Sequence, residues 1–335
     1  LQIPSVGSKM AKMMMKLGII LLISKNLLAI NINYSRIDRY ITSIEKRDKW
    51  SGCLLIAVGD SIMYQRSCGY ADYENKIPFT ANTAVNVAST GKIFTGTLIV
   101  KLAQEDLLKF TDTIDNFFPE LSYGSEITIH QLLTHSSGLG SINYELPDFT
   151  YKNVTSCMDL MDFIKRDTLK FFPGTETFYS NTGKFLMGAI VEKLRGKSFL
   201  QCVEDEIFKP NKMNNSFFKN DFTIDESFRK KHQVAYYYEK KRKALTRWPG
   251  NEDRNSAVIL SAGGITTSAK DLFTFKNALT QYKILNRHYL DTMWTPYISH
   301  EERFHWAYGW IFTKGGGVGA GNIGTNNYLY FKKDK

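Results

Sequence analysis

An α+β fold is predicted for this chain, with an antiparallel sheet built from both chain ends, flanked by helices, and a mostly helical subdomain inserted between them. Three observations predict it. Two short strand-like runs meet at the turn residues Gly59-Asp60-Ser61 near the N-terminus. Helical patterns dominate from about Thr90 to Leu260, and strand-like runs return towards the C-terminus. The chain has 335 residues, 43% of them hydrophobic and 13% aromatic, ample for one sizeable core. No repeats, heptads or low-complexity linkers divide it.

Residues 1–34 are read as a separate segment. Lys9, Lys12 and Lys16 precede the apolar run Leu17–Ile23, and Leu27-Leu28-Ala29 follows Ser24-Lys25-Asn26. A basic stretch ahead of a short apolar core reads as a secretory signal cut after Ala29, so the protein is expected to be exported to the periplasm or cell envelope. The rival reading is an uncleaved amphipathic membrane anchor. Lys25 leaves the apolar stretch too short for an ordinary spanning helix. Residues 35–335 are read as a single domain, its sheet part at about 45–80 and 260–335 and its helical part at about 90–260.

The N-terminal hairpin carries Cys53 and Cys68 on its two arms, where they could face each other; two reduced thiols are favoured over a disulfide. Cys157 and Cys202 complete a set without metal-ligand spacing. His130 and His135 flank a loop and are read as structural, so no metal and no cofactor is expected.

Next comes the stretch with the most chemistry. Ala84–Ala88 reads as a short extended run, followed by Ser89-Thr90-Gly91-Lys92 and a helix with Ile93, Phe94, Thr97, Leu98, Ile99 and Leu102 at helical spacing through Leu108. Residues three apart in a helix share a face, so the Lys92 amine can reach the Ser89 hydroxyl. A neutral lysine, or one sharing its proton with a phenol, can take the hydroxyl proton as the oxygen attacks a carbonyl. Ser-x-x-Lys also occurs at Ser43/Lys46, Ser216/Lys219 and Ser227/Lys230, and only the first-turn context singles out Ser89. The plain alternative is an N-cap serine and a solvated lysine.

Further on, Phe171–Thr175 reads as a turn, Glu176 to Phe178 as a short extended piece, and Thr182 to Leu194 as a helix with Phe185, Leu186, Ala189, Ile190 and Leu194 on one face, stopped at Gly196. Tyr179-Ser180-Asn181 lies on the tight loop between turn and helix, a common position for a catalytic side chain. Tyr-x-Asn recurs at Tyr73/Asn75 and Tyr151/Asn153, and a buried structural tyrosine is the plain alternative.

These residues resemble the serine β-lactamase and penicillin-binding-protein superfamily, in the branch of class C β-lactamases, D-alanyl-D-alanine carboxypeptidases, D-aminopeptidases and related esterases. The resemblance runs in order from about Ser51 to Tyr330. It includes Ser51–Ala57 with Gly69–Asp72, Ile127–Leu139, Phe172–Gly183, and Ala262–Leu272 followed by Met293-Trp294-Thr295-Pro296. It implies a β-lactamase/transpeptidase-like fold, with Ser89 as nucleophile, Lys92 as the group that helps deprotonate it, Tyr179 as proton shuttle and Asn181 as a hydrogen-bonding partner of the substrate. The Ser89 N–H would supply half of the oxyanion hole. A cationic lysine beside the phenol would favour phenolate.

The third element of that family, Lys-Thr-Gly or His-x-Gly on a late strand, is altered here. Tyr308–Thr313 resembles the preceding strand. Lys314-Gly315-Gly316 keeps the cation, while Gly321-Asn322-Ile323-Gly324-Thr325 matches Gly-His-x-Gly with asparagine for histidine. The second register is preferred, making Asn322, Gly324 and Thr325 substrate-binding candidates. An uncharged Asn322 weakens carboxylate recognition, which favours an esterase or D-peptidase over a dedicated β-lactamase. Thr325 to Lys335 suffice for about one further strand, so the expected sheet is cut short at its C-terminal end.

The implied function is a serine hydrolase working through an acyl-enzyme at Ser89 on an amide, lactam or ester carbonyl of a small-molecule or peptide substrate, including cell-wall-derived ones. The alternative is a catalytically impaired homologue that binds such ligands without turnover. Net charge is +10, with basic runs Arg229–His232 and Lys240–Lys243 bracketing Tyr236–Tyr238. A strand hairpin with solvated basic ends accounts for that pattern and no nucleic-acid partner is expected; an anionic envelope or membrane surface is the better counterpart.

Overall fold

The computed structural model describes residues 32–46, 51–151, 153–218, 233–234, 236–239, 244–247, 260–300, 304–313, 318–322 and 325–329. The N-terminal segment up to residue 31 and the basic runs at 229–232 and 240–243 lie outside the described residues. No helix among the described residues is long and apolar enough to cross a membrane.

Helix α1 (Tyr34–Glu45) starts at Asn33, whose side chain accepts the Arg36 N–H at 2.9 Å. Its Ile37 and Ile41, one turn apart, bury against Ile56 and Cys68 of the hairpin formed by β1 (Gly52–Val58) and β2 (Ser61–Cys68). The hairpin turns at Gly59, which takes a left-handed φ of 57°. Cys53 pairs with Ser67 and Cys68 with Gly52, so the two thiols project from opposite faces. That one-residue offset leaves them unable to bridge, and all four cysteines are free.

Short strands β3 (Tyr70–Asp72), β4 (Ile77–Pro78) and β5 (Val85–Asn86) lead into a tight 3₁₀ turn, Ala88–Gly91, and then α2 (Lys92–Gln104). The helix ends four residues before the expected Leu108, because Asp106 adopts a left-handed φ of 58° that helical backbone cannot follow. Leu108 is still buried, from the loop. Helix α3 (Ile129–Leu133) begins with a reciprocal capping box between Thr128 and Gln131. Helix α4 (Thr182–Arg195) is buried from Thr182 through Glu192 and stops at left-handed Gly196, as its sequence signals predicted.

Helix α5 (Phe199–Val203) and strand β6 (Phe217–Phe218) follow, then the hairpin of β7 (Tyr236–Glu239) and β8 (Ala244–Arg247), strand β9 (Ile265–Thr267), and helices α6 (Ala269–Thr280) and α7 (Arg287–Met293). The chain closes with β10 (Ile298–His300), β11 (Phe304–Trp306), β12 (Ile311–Thr313), β13 (Val318–Asn322) and β14 (Thr325–Leu329).

The α+β class holds, with small antiparallel sheets in place of one continuous one. Among the described residues the ladders are β1-β2, β3-β4, β5-β9-β6, β7-β8, β10-β11-β12 and β13-β14. Among the described residues β10 to β12 are each three residues long and pair only with one another. Strand β5 pairing with β9 does bring sequence from both sides of the helical part together next to the 3₁₀ turn. The main core is built on α2 and α4 with α6 and α7, and includes Phe94, Phe185, Phe275 and Trp310. Phe94 meets the rings of Phe275 and Phe208 at 4.5 and 5.6 Å.

Candidate active site

Ser89 lies in the middle of the 3₁₀ turn, at the joint between β5 and α2. Ala88 before it is held at φ 47°, a conformation that costs a non-glycine residue roughly 1–3 kcal/mol and lifts the next side chain out of the strand direction. The Asn86 side chain stabilises this bend by accepting the Ala88 N–H at 2.9 Å. Backbone from the far end of the helical part crosses directly over the turn. A Cβ on Gly91 would stand 2.4 Å from the Gly263 carbonyl oxygen, and one on Gly263 would stand 2.8 Å from that of Ala88. Only glycines allow this approach, and it delivers the Ala262 carbonyl to the Lys92 amine.

Three predicted residues come together here. The Tyr179 hydroxyl donates to Ser89 Oγ at 2.6 Å, and Lys92 Nζ donates to the same oxygen at 3.0 Å. Lys92 is buried, and its amine also lies 4.8 Å from the centre of the Tyr179 ring. Burial, reinforced by the nearby Lys184 charge, pushes the Lys92 amine well below the ordinary lysine range. Burial pushes the Tyr179 phenol up, against a smaller opposing effect of its bond to Ser89. Against the expectation that a cationic lysine favours phenolate, desolvation here disfavours both the ammonium and the phenolate. In its neutral form, an amine that goes on donating to the Ala262 carbonyl and turns from donor to acceptor at Ser89 Oγ can take the Ser89 proton.

Other matches to the two patterns lie elsewhere. Ser43 bonds its own helix through the Tyr40 carbonyl, and Ser216 is buried against Asp271 and Thr267. Ser227 lies outside the described residues. Tyr73 pairs with Ser51 at 2.7 Å in the N-terminal part of the chain.

The sequence reading took His135 as structural, and its contacts give that role a purpose. Its Nδ1 accepts the Ser180 N–H at 3.0 Å, and its ring stacks on Tyr179 with centroids 4.9 Å apart and meets Trp306 at a tilt, 4.4 Å between centroids. Burial drives its pKa well down, so it is neutral and can accept that bond. His130 pairs with the Tyr308 hydroxyl at 2.8 Å. Asn181 donates its main-chain N–H to Ser141 Oγ at 3.0 Å, and its side-chain NH₂ donates to Asn143 Oδ1 at 3.2 Å. Asn181 Oδ1 is buried without a partner among the described residues, an acceptor open to an incoming N–H. Asn143, Ser141, His135 and Lys184 were not picked out as site residues, since each meets the cluster only through the fold.

The third wall is the β13–β14 hairpin, which packs against the turn that carries Ser89. Thr90 Oγ1 donates to Asn327 Oδ1 at 2.6 Å across this contact. Asn322 ends β13 and Thr325 begins β14, paired with each other at the hairpin tip. The preferred register thus falls where β13 ends and β14 begins. Gly324 and the competing Lys314-Gly315-Gly316 lie outside the described residues. Among the described residues no cluster of His, Cys, Asp or Glu is placed to hold a metal ion.

Comparison with known proteins gives the family and the fold. The model of the Beta-lactamase family matches residues 37–335. Penicillin-binding protein 4* of Bacillus subtilis (strain 168) is 27% identical over 277 residues, covering 80% of this chain, which in turn spans 61% of that protein. A penicillin-binding protein from Bacillus halodurans shares the fold with a TM-score of 0.73 at 24% identity, over 87% of this chain and 90% of that one. D-amino acid amidase from Ochrobactrum anthropi SV3 does so with a TM-score of 0.69 at 22% identity, over 84% and 82%.

Proposed function

The chain belongs to the Beta-lactamase family, and from that premise we propose that it is a serine hydrolase forming an acyl-enzyme at Ser89. One observation carries the reading: a single hydroxyl oxygen within hydrogen-bond reach of both a buried amine and a buried phenol, at 3.0 and 2.6 Å. In the proposed reaction Lys92 takes the Ser89 proton as Oγ bonds to the substrate carbonyl carbon. The phenol then passes a proton to the leaving amine or alcohol as the carbonyl re-forms. Water attacks the acyl-enzyme in the second half, with the same groups acting in reverse. The Ser89 N–H and the adjacent hairpin are the proposed sources of oxyanion donors.

Esters and D-amino-acid peptides or amides are the favoured substrates, ahead of β-lactams. The uncharged amide of Asn322 in the preferred register supports this choice, as does the amidase among the structural relatives. The open acceptor of Asn181 supports a substrate N–H next to the scissile carbonyl. A cell-envelope location, with contact to anionic surfaces through the N-terminal segment, belongs to the same proposal. Binding without turnover remains the second reading, motivated by the altered third element.

One experiment separates them. The purified protein is incubated with a fluorescent penicillin and with a fluorophosphonate, and adducts are mapped by mass spectrometry. Labelling at Ser89 that disappears in Ser89→Ala is expected; no adduct from either probe would transfer the case to binding alone. A chromogenic cephalosporin set beside a p-nitrophenyl ester then ranks lactam against ester.

A further inference from the structure

Lys184 is completely buried on the first turn of α4, three residues after Asn181. Its ammonium donates to the Leu132 carbonyl at 2.8 Å and the Leu133 carbonyl at 3.1 Å. These are the last carbonyls of α3, where the helix carries partial negative charge and lacks intrahelical donors. Burial alone lowers its pKa from 10.5 to about 7, with no carboxylate opposing the shift.

The carbonyls it holds begin the loop to His135, a residue at φ 61° whose ring supports Tyr179. Two residues before α4, the Ser180 N–H returns to His135 Nδ1. Lys184 thus ties α4 to the end of α3 at the point where the backing of Tyr179 is set. Its charge also acts on Lys92 and His135, lowering both. Titratable groups on elements packed around α4 include Lys92 on α2, His130 on α3 and His135 after it, Tyr179 ahead of α4, Cys202 on α5, and Cys157, Glu192 and Asp167. Glu192 is occupied by the N–H groups of Cys157, Met158 and Phe199, and Asp167 by those of Gly140 and Thr168. Cys157 is held protonated by burial.

We propose that Lys184 is a positioning residue for the acylation step, anchoring the Leu132–His135 segment behind Tyr179 while its positive charge keeps Lys92 in the proton-accepting form. The inference rests on Ser89 being the nucleophile.

The test follows the rate of fluorophosphonate labelling at Ser89 from pH 5 to 10 in wild type, Lys184→Met and Lys184→Arg. Loss of the charge in Lys184→Met is expected to move the acid limb about one pH unit upward. Lys184→Arg, which retains a charge, is expected to keep the limb in place. A limb unchanged in Lys184→Met overturns the proposal, because a purely structural lysine would change amplitude and melting temperature alone. Should the variants fail to fold, wild-type protein with ¹³Cε-labelled lysines provides the second measurement. The Lys92 resonance is expected to show an inflection at the Lys184 midpoint, and its absence overturns the proposal. Failure to label Ser89 in wild type would instead overturn the nucleophile assignment, and the NMR coupling would be read separately from it.

Discussion

The lysine cluster behind Ser89 and the arginine at the N-terminal hairpin handle positive charge in opposite ways. Lys92 and Lys184 are buried against main-chain carbonyls, and desolvation lowers both. Arg66 on β2 bonds Asp38 at 2.9 Å and Glu45 at 3.3 Å, with a quarter of its side chain exposed, and its bond to Asp38 raises its pKa further. One environment disfavours protonated amines and the other holds a charge in place. A buried amine without an anion nearby is held less firmly in its protonated form, whereas a paired, wetted cation keeps its charge.

The largest expected effect breaks the first half of that contrast. Lys92→Met removes the proton acceptor and should lower the rate of Ser89 acylation by about 100- to 10,000-fold, read by stopped-flow with an activated ester. A loss below tenfold would mean that another group takes the proton. Phe94→Ala, under the same helix, should cost about 3–5 kcal/mol in urea unfolding, since its ring fills the space between Phe275 and Phe208.

Next comes the pH dependence of stability. Lys184 titrates at about 7 in the folded chain against 10.5 for an ordinary lysine. Between those values the unfolded chain binds the extra proton, so this group's contribution to stability rises with pH. Melting curves of wild type and Lys184→Met should therefore converge or cross in favour of wild type between pH 7 and 10; a constant offset would show that Lys184 does not titrate there. The smallest effect belongs to the hairpin. Arg66→Ala should lower the melting midpoint by about 2 °C or less and leave acylation unchanged. A larger drop would show that the α1–hairpin unit depends on its ion pairs more than on Ile37 and Ile41.

Local features were legible in advance. The three-residue spacing of Ser89 and Lys92, the Gly196 stop of α4 and the turn before Tyr179 follow from short-range rules that any helix or turn obeys. What escaped the sequence was set by long-range contact. Lys184 meets carbonyls 51 and 52 positions away, and Thr90 meets Asn327 across 237. The hairpin register that separates Cys53 from Cys68 depends on a bulge between Ile56 and Ala57 that no residue type announces. Which strands pair among the described residues, as β5 does with β9 across the helical part, is likewise chosen by packing, not by propensity.

An amine next to a hydroxyl was written into the order of residues, because a helical turn brings positions three apart together whatever surrounds them. Whether that amine carries a proton was decided only when Gly91 and Gly263 let two backbones cross and Lys184 was buried in α4. Adjacency is a property of the local chain, whereas desolvation belongs to everything packed around it.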